Sequence, residues 1–509
     1  MSLLGLDIGT TGVKAVAFRE DGSFLASAYE EYDLRSPAPG HLELDPREVL
    51  AAIRSVTSSV GEKTRGDPIR SVAACTLGEA AVPVDRSGNP LGNAIIGFDA
   101  RGQDEERTFR ERLSTEEVFE ITGHGTSSSH TLFKILWRRA HEPETFRKAH
   151  RFLCFGDFLA SALGVPARME HSVAARTLAF DIHRLDWSRR ILDAADLPVE
   201  IFPPVAAPGE PLGEIGEGAA REFGLPKGCV VAGGLHDQPA GILGAAVEPG
   251  ESMLAIGTVI CLGVRLKGKP AGTSMARNNL CYYPTFGERQ YVSLAFNFTG
   301  GSLLKWYRDQ LAGPEIAEAE RLGADPYDAI TAGLPEGPTG LLVLPHFTTT
   351  GTPWLDPRAL GAVFGLRLTT GRKEIVKAIL EGILYEIRLN AELLESAGVA
   401  VERYKAIGGA AKSPVWMQIA ADILGEEVAV TTVTEGAALG AALMGAKAAG
   451  IAPTVGAVEE IARRAARVER VLEPRPAHAR LYAERFEVYR GLYPATREIS
   501  HRLFELARG

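Results

Sequence analysis

The sequence predicts an α/β protein of two related domains. At 509 residues the chain exceeds the ~250–300 residues beyond which a single hydrophobic core stops growing. Its 45% hydrophobic and 23% charged residues are ordinary for globular proteins, so two sizeable cores can form. An apolar run, a Gly-Thr turn and a second apolar run occur near the N-terminus and again near the midpoint. This internal repeat predicts a duplicated fold.

The first copy of the repeat spans residues 3–18 and predicts two strands joined by a turn at Gly9, Thr10 and Thr11. Such a turn needs an unhindered glycine and presents backbone N–H and hydroxyl donors, which hold phosphate oxygens. The elements predicted after it are a strand at 24–31, a helix at 46–60 capped by Asp45, strands at 69–75, 81–84 and 94–96, helices between about 100 and 222, and a strand at 229–232.

The second copy spans residues 252–264, with its turn at Gly257 and Thr258. The elements predicted after it are a strand at 290–295, a helix opened by Gly300 and Gly301, a strand at 340–344, a helix at 372–396, a strand at 404–407, a helix at 414–424 and a helical stretch from 458 onward. Because the order of elements repeats, we expect domains at 1–247 and 248–509. Two donor-rich turns, one in each domain, predict a clamp on a polyphosphate.

The composition excludes several classes of function. A net charge of -9 argues against non-specific binding to nucleic acid. No apolar run reaches the ~18 residues of a membrane span, and the chain begins with a strand rather than a basic leader. Its five cysteines are scattered without metal-binding spacing, so we expect reduced thiols. The sequence therefore predicts a cytoplasmic protein that binds neither nucleic acid nor membranes.

Two charged residues flank the first turn. Asp7 precedes it by two residues, where a carboxylate can hold Mg²⁺ beside bound phosphates. The alternative for Asp7 is a structural hydrogen bond at the strand end. Lys14 lies on the returning strand and can point back toward the phosphates, although a lysine on a strand is usually solvated.

A second carboxylate follows a sharp turn between an apolar strand and a helix. Gly233 and Gly234 leave room for a ligand, and Asp237 lies at the start of the helix, where a base can reach a substrate hydroxyl. The alternative role of Asp237 is an N-cap. Its neighbour His236 is either a structural residue or a second base.

Three further segments have patterns that suit a binding site or simple packing. The loop from Gly408 to Ser413 lets a flat ring or sugar approach the backbone, or is a tight strand-to-helix connection. The small residues at 435–442 predict close packing of a helix. Polar groups at residues 79, 99 and 101 lie beyond strand ends and can bind a polyol, the alternative being solvated loop charges.

Together these motifs resemble the FGGY family of carbohydrate kinases over nearly the whole chain. The segments that carry the resemblance, in the order and spacing of the family, are Asp7 to Thr11, Ser129 to Trp137, Gly233 to Gln238, Gly361 to Glu381 and Gly408 to Ser413. The resemblance implies two actin-like (ribonuclease H-like) α/β domains with an ATP and sugar cleft between them. It also implies Asp237 as the catalytic base and Mg²⁺ held by Asp7 and Asp237.

The motifs and the resemblance together predict the other site residues. The nucleotide would contact both domains, at Gly9, Thr10, Thr11, Lys14, Gly257, Thr258, Gly300, Gly301, Gly408, Gly409, Ala410 and Ser413. The substrate would contact residues of the first domain, namely Glu79, Asp99, Arg101, Asp237 and Gln238.

The substrate segment departs from two subgroups of that family. Xylulokinases usually read Gly-Gln-Met-His-Gly where this chain has the residues 76–80, and glycerol kinases carry Arg-Glu where it has Gly78 and Glu79. Gly97 stands where both subgroups commonly have tryptophan. We expect Gly78 and Gly97 to leave room for a pocket wider than a glycerol site.

We therefore expect an ATP-dependent kinase that phosphorylates a hydroxyl of a small ketose or polyol, with a xylulose-like substrate favoured. One alternative is a kinase for another sugar, polyol or aldonate, such as glycerol, erythritol, ribulose or gluconate. Others are an ATPase or acyl-phosphate-forming kinase on the same fold, and a non-catalytic nucleotide-binding protein of the actin-like class. A monomer and a homodimer both remain open.

Overall fold

The computed structural model of the protein describes residues 1–270 and 274–507. These residues form two large mixed sheets with helices packed against them. The strands of the first sheet are, in spatial order, Pro211–Glu214, Val230–Ala232, Ile69–Thr76, Ser2–Ile8, Gly12–Arg19 and Phe24–Glu31, and Leu235–His236 also pairs with Ile69–Thr76. The strands of the second sheet are Tyr283–Pro284, Tyr291–Asn297, Ile260–Arg265, Glu251–Ile256, Arg403–Ile407, Val428–Thr431 and Val468–Leu472.

The two sheets share one topology. Each contains an antiparallel meander of three strands, and the first strand of each meander also pairs in parallel with a strand from later in the chain. In the first sheet Ser2–Ile8 pairs with Ile69–Thr76, and in the second Glu251–Ile256 pairs with Arg403–Ile407. The repeat read from the sequence is therefore a duplication of topology, and the expected two-domain α/β fold is confirmed.

The helices cover the faces of these sheets. Those of eleven or more residues are Pro46–Lys63, Thr131–His141, Gly301–Leu311, Arg372–Ser396, Pro414–Leu424, Gly436–Ala448, Val455–Ala465 and Pro476–Leu506. The shorter ones are Gln103–Arg110, Thr115–Thr122, Pro143–Lys148, Phe155–Ala162, His171–Ala175, Arg189–Ala195, Glu217–Phe223, Asp237–Gly244, Ser274–Arg277, Gly313–Leu322 and Pro326–Thr331. Over the described ranges, none is both long and apolar enough to cross a membrane.

Short strands form four small accessory sheets within the described residues. One contains Glu43–Leu44, Ala94–Ile95, Ala81–Val84 and Arg151–Cys154. The others pair Met169–Glu170 with Val205–Ala206, Phe180–Asp181 with Asp186–Trp187, and Leu342–Leu344 with Ala362–Phe364.

One sequence prediction is wrong at the C-terminal end. We expected a helical stretch from residue 458 onward, whereas the strand Val468–Leu472 separates the last two helices. This strand runs antiparallel to Val428–Thr431 at the edge of the second sheet. Its pairing partner is distant in sequence, so no local periodicity could reveal it.

The expected close packing at residues 435–442 occurs across the domain boundary. The helix Gly436–Ala448 packs against the helix Asp237–Gly244 and against the first strand of the chain. A Cβ at Gly440 would lie 2.0 Å from the carbonyl oxygen of Ala240, and one at Gly5 would be 1.9 Å from a carbonyl of the same packed helix. Only glycine allows backbones to approach this closely, so these positions join the two domains.

Candidate active site

The segment that carries Asp237 is built into the first sheet. The strand Leu235–His236 pairs in parallel with Ile69–Thr76. It lies so close to this neighbour that a Cβ at Gly234 would be 1.7 Å from the carbonyl oxygen of Ala74. Asp237 is the first residue of the following helix, so its carboxyl group lies at the carboxyl edge of the parallel strands, where ligands bind in open α/β sheets.

The carboxyl group of Asp237 has unused hydrogen-bonding capacity. Its Oδ1 and the Oε1 of Gln238 are buried and have no hydrogen-bond partner among the described residues. Burial raises the pKa of Asp237 to about 7, and the charges of Asp7 and Glu79 act in the same direction. The N-cap position belongs to His236 rather than to Asp237. This environment is typical of a general base.

Asp7 lies on the strand Ser2–Ile8, which pairs with the other side of Ile69–Thr76, and fits a metal site with Asp237. Burial raises the pKa of Asp7, and Sγ of Cys75 lies 3.6 Å from its Oδ1. A divalent cation stabilises two buried carboxylates that repel each other, and Mg²⁺ is usually held by one or two carboxylates together with phosphate oxygens. Across the described part of the chain, no group of three or more His, Cys, Asp or Glu side chains is arranged to hold a metal. Mg²⁺ at Asp7 and Asp237 would therefore need phosphate oxygens as further ligands.

The first Gly-Thr turn is held in place from both sides. The N–H of Gly9 donates to the carbonyl of Gly12 at 3.0 Å, and the hydroxyl of Tyr32 donates to the carbonyl of Gly9 at 2.6 Å. Thr10 is half-buried and Thr11 is exposed at the tip of the turn. Their hydroxyl groups can therefore reach a ligand at this end of the sheet.

Lys14, which we expected to face the phosphates, forms an ion pair across the domain boundary. Its Nζ lies 2.9 Å from Oε1 and 3.0 Å from Oε2 of Glu435, the residue before the helix Gly436–Ala448. Because Glu435 neutralises the ammonium group, contact between Lys14 and a phosphate stays a prediction and requires this pair to open.

The second Gly-Thr turn is backed by the glycine pair that opens a helix. The N–H of Gly300 donates to the carbonyl of Thr258 at 3.0 Å, and that of Gly301 to the carbonyl of Gly257 at 2.8 Å. These four residues, which we expected to contact the nucleotide, are thus neighbours in space.

The predicted adenosine loop lies beside this turn. A Cβ at Gly408 would be 2.8 Å from the carbonyl oxygen of Ile256, and its φ of 89° is one that glycine adopts without strain. Gly409 faces open space. At the other end of the loop the N–H of Ser413 donates to the carbonyl of Ala410 at 3.0 Å, and its side chain caps the next helix. The predicted nucleotide residues of the second domain are therefore neighbours in space.

Glu79 is held beside the Asp237 segment by an arginine that the sequence analysis did not identify. Both Nε and Nη2 of Arg176 donate to Oε1 of Glu79, Nε at 2.6 Å. Glu79 has a φ of 57°, and the hydroxyl of Thr131 donates to its carbonyl at 2.7 Å. The side chains of Arg176 and Glu79 are only 15% and 13% exposed. A charged pair with this little access to water is well fixed.

This ion pair fills part of the space beside two glycines. We expected Gly78 and Gly97 to leave room for a pocket wider than a glycerol site, and that width stays a prediction. A Cβ at Gly78 would lie 3.1 Å from Cγ of Arg176, and one at Gly97 would lie 3.3 Å from Oε2 of Glu79. The space beside both glycines is therefore occupied by the two side chains of the pair.

His236 connects the two domains. Its Nδ1 lies 2.9 Å from the hydroxyl of Tyr283 on the second sheet, and its Nε2 lies 3.2 Å from Oδ1 of Asp237. The contact of Nε2 with Oδ1 does not form a hydrogen bond, so this oxygen of Asp237 stays unpartnered. Burial lowers the pKa of His236 well below its ordinary value, which keeps the ring neutral. These contacts favour a structural role over that of a second base.

Asp99 and Arg101 lie in a buried network inside the first domain. Oδ1 of Asp99 accepts from N and Nε of Arg101 at 2.7 and 2.9 Å, and Nη1 of Arg101 donates to Glu43 at 2.6 Å. Nζ of Lys134 donates to the carbonyls of residues 99 and 101. These hydrogen bonds within the domain fix the loop 97–101, and direct contact of Asp99 or Arg101 with the substrate stays a prediction.

Two family models match most of the chain. Residues 2–244 match the N-terminal domain, and residues 253–449 the C-terminal domain, of the "FGGY family of carbohydrate kinases".

Individual relatives match almost the full length. A xylulose kinase of Staphylococcus epidermidis is 27% identical over 505 residues, which cover 98% of this chain and 97% of that protein. A gluconokinase of Bacillus subtilis is 28% identical over 464 residues, 90% of each chain. The crystal structure of xylulose kinase from Rhodospirillum rubrum superposes with a TM-score of 0.86 at 28% identity, covering 98% of this chain and 100% of that one.

Proposed function

The chain belongs to the FGGY family of carbohydrate kinases, and from this premise we propose that it transfers the γ-phosphate of ATP to a hydroxyl of a small ketose or polyol. It is a phosphotransferase that acts on an alcohol group. A xylulose-like ketose is favoured because proteins named xylulose kinase match almost the entire chain. The observation that carries the proposal is the buried carboxyl group of Asp237, with an unpartnered oxygen beside Asp7 and the pair of Glu79 and Arg176.

In this proposal the protein positions the reactants and balances their charge, which is most of what phosphoryl transfer requires. Asp237 orients the attacking hydroxyl and accepts its proton. Asp7 and Asp237 hold Mg²⁺, which when bound neutralises phosphate charge. Glu79 and Gln238 accept hydrogen bonds from other hydroxyl groups of the substrate.

The nucleotide is bound between the domains. The donors of the turn at Gly9, Thr10 and Thr11 bind its phosphates from the first domain. Gly257 and Thr258, supported by Gly300 and Gly301, bind them from the second. The loop from Gly408 to Ser413 lies beside the second turn and faces the adenosine. Closure of the two domains excludes water, which otherwise competes as phosphoryl acceptor.

A screen of ADP release tests the proposal. The protein is incubated with MgATP and a panel of ketoses, polyols and aldonates, and the control contains no sugar. We expect a ketose or polyol to raise ADP release well above the control and to yield a phosphorylated product. ADP release that no sugar stimulates would indicate an ATPase instead. Nucleotide binding without any transfer would indicate a non-catalytic member of the actin-like class.

An aldonate kinase is the second candidate. The match to a gluconokinase over 90% of the chain favours it, and gluconate in the same panel tests it directly.

A further inference from the structure

The pair of Glu79 and Arg176 lies beside Asp237, yet the transfer step itself does not require it. We propose that Arg176 is a specificity-determining residue, which together with Glu79 binds two neighbouring hydroxyl groups of a neutral substrate and disfavours an aldonate. This inference rests on the proposed function, because it assumes a kinase for small polyhydroxylated compounds.

The position of Arg176 is the first argument. It follows directly after the short helix His171–Ala175, and its stem runs across Gly78. The point where a Cβ of Gly78 would lie is 3.1 Å from Cγ of Arg176 and 3.2 Å from Nε2 of His236. Arg176 is thus placed between Glu79 and the segment that carries Asp237. In this way its stem fills the space where a side chain of residue 78 would lie.

The second argument is the set of polar atoms that the pair leaves available. Both hydrogen bonds within the pair end on Oε1 of Glu79. Within the described residues, neither Nη1 of Arg176 nor Oε2 of Glu79 has a hydrogen-bond partner. The neighbour of Oε2 is Gly97, which has no side chain to cover it. One donor and one acceptor on a rigid pair match two adjacent hydroxyl groups, each of which can donate or accept.

The third argument is charge. Asp7, Glu79 and Asp237 bring three carboxyl groups to this region, and the charge of Arg176 is already compensated by Glu79. An aldonate would add a fourth carboxylate, and the donor that the pair leaves, Nη1, belongs to a guanidinium group whose charge Glu79 already balances. A ketose or polyol carries no charge and meets neither obstacle. The site therefore favours neutral substrates.

The decisive experiment compares xylulose and gluconate as substrates of the Glu79→Gln variant. Glutamine keeps the size of the side chain but leaves the guanidinium group without its counter-ion. We expect kcat/KM for xylulose to fall about 5- to 150-fold, as for loss of one buried hydrogen-bonded group. We expect the ratio of kcat/KM for gluconate to that for xylulose to rise about tenfold or more, because Arg176 can then pair with the aldonate. A residue with a purely structural role would lower both values and leave their ratio unchanged.

The Arg176→Met variant tests whether the guanidinium group donates a hydrogen bond to the substrate. It should raise KM for xylulose, leave KM for ATP unchanged and not raise kcat/KM for gluconate. Arg168→Met is the control, since Arg168 forms an ion pair with Glu210, with the two side chains 33% and 32% exposed, just before the same short helix. This control should leave the ratio of the two substrates unchanged.

A double variant separates binding from folding. Gly78→Arg alone should lower activity with xylulose, because the stem of Arg176 occupies the space. An Arg176→Ala background removes Cγ and the rest of that stem, so adding Gly78→Arg there should recover at least about fivefold of the lost kcat/KM. Thermal unfolding of each variant shows whether it is folded. If Arg176→Met does not fold, the ratio of kcat/KM for gluconate to that for xylulose in the Glu79→Gln variant decides whether the inference holds.

The outcomes distinguish this inference from the proposed function. If no ketose, polyol or aldonate stimulates ADP release by the unmodified protein, the proposed function fails. If a ketose does so but the substrate ratio of Glu79→Gln stays unchanged, the inference is overturned and the kinase assignment stands. Gluconate as the best substrate of the unmodified protein would also overturn it.

Discussion

The hydroxyl of Tyr283 lies 2.9 Å from Nδ1 of His236, and this hydrogen bond joins a strand of the second sheet to the residue before Asp237 in the first domain. The other ring nitrogen of His236 lies 3.2 Å from Oδ1 of Asp237. The imidazole therefore lies between the second domain and the carboxyl group of Asp237. Movement of the domains can in this way act on the base without touching it directly.

The Tyr283→Phe variant measures this connection. It keeps the aromatic ring and removes one hydrogen bond, which contributes about 0.5–1.5 kcal/mol. We expect kcat to fall about 2- to 12-fold while KM for ATP stays unchanged in steady-state assays. Tyr282→Phe is the matched control, because the Tyr282 ring packs on Phe119 and Tyr291 rather than on His236. An equal loss in both variants would contradict the connection.

Asp237→Asn tests the base itself. The amide preserves the shape of the side chain but cannot accept the proton, so we expect kcat to fall by a factor on the order of 10²–10⁴. Binding of an ATP analogue, followed by calorimetry, should be largely kept. Turnover close to that of the unmodified protein would show that the proton goes elsewhere.

Replacement of the turn threonines tests whether both domains hold the same nucleotide. Thr10→Val and Thr258→Val each remove one hydroxyl donor at nearly constant volume. We expect each to raise the apparent KM for ATP more than that for the sugar. A crystal structure with an ATP analogue whose phosphates contact only one turn would rule out the two-sided clamp.

Gly244→Ala tests the glycine contact between the domains. A Cβ at this position would lie 1.8 Å from the carbonyl oxygen of Gly436, so the two helices must move apart. Such overpacking costs about 1–3 kcal/mol, and we expect a lower Tm by calorimetry. Gly218→Ala, in the surface helix Glu217–Phe223, has no atom within 4 Å of the added group and serves as control. It should be neutral or slightly stabilising, since alanine favours helices.

The buried carboxyl group of Glu170 should make the stability of the folded protein depend on pH. Burial raises its pKa from about 4.5 to about 8 in the folded protein. Between these values the folded state keeps a proton that the unfolded state has lost, so stability falls as the pH rises from about 5 to 8 and then levels off. At ~1.4 kcal/mol per pKa unit the loss amounts to a few kcal/mol.

Urea unfolding at pH 5 and pH 8.5 measures this effect. The Glu170→Gln variant has no proton to lose at this position, so its stability should decline less than that of the unmodified protein. Parallel declines in the two proteins would mean that Glu170 is already ionised in the fold.

Much of the fold follows from local patterns in the sequence. The strand Phe24–Glu31 and the helix Arg372–Ser396 have the predicted bounds, because their periodicities and the turns beside them are encoded within a few residues. The strand Val468–Leu472 is stabilised by pairing with Val428–Thr431 instead. Such pairing overrides local preference, and a single sequence does not reveal it.

The residues of the candidate site also fall into two groups, those that the sequence reveals and those that only the structure shows. Glycine turns and the carboxyl group of Asp237 are visible in the sequence, because the geometry needs those residue types side by side. The pair of Glu79 and Arg176 forms only on folding, between residues 97 positions apart. The contact between His236 and Tyr283 spans 47 positions. No rule of sequence spacing connects residues so far apart, so these contacts are visible only in the structure.

The contact between Gly5 and the helix Gly436–Ala448 has a consequence for synthesis in the cell. A ribosome makes Gly5 more than 400 residues before it reaches this helix, which begins at residue 436. Until then the nascent first sheet lacks this helix on one of its faces, although all of its own strands have emerged. Folding that proceeds in the order of synthesis therefore cannot complete the N-terminal half on its own. A message cut short before residue 436 yields a polypeptide with every strand of that half present and its apolar face left open to aggregation.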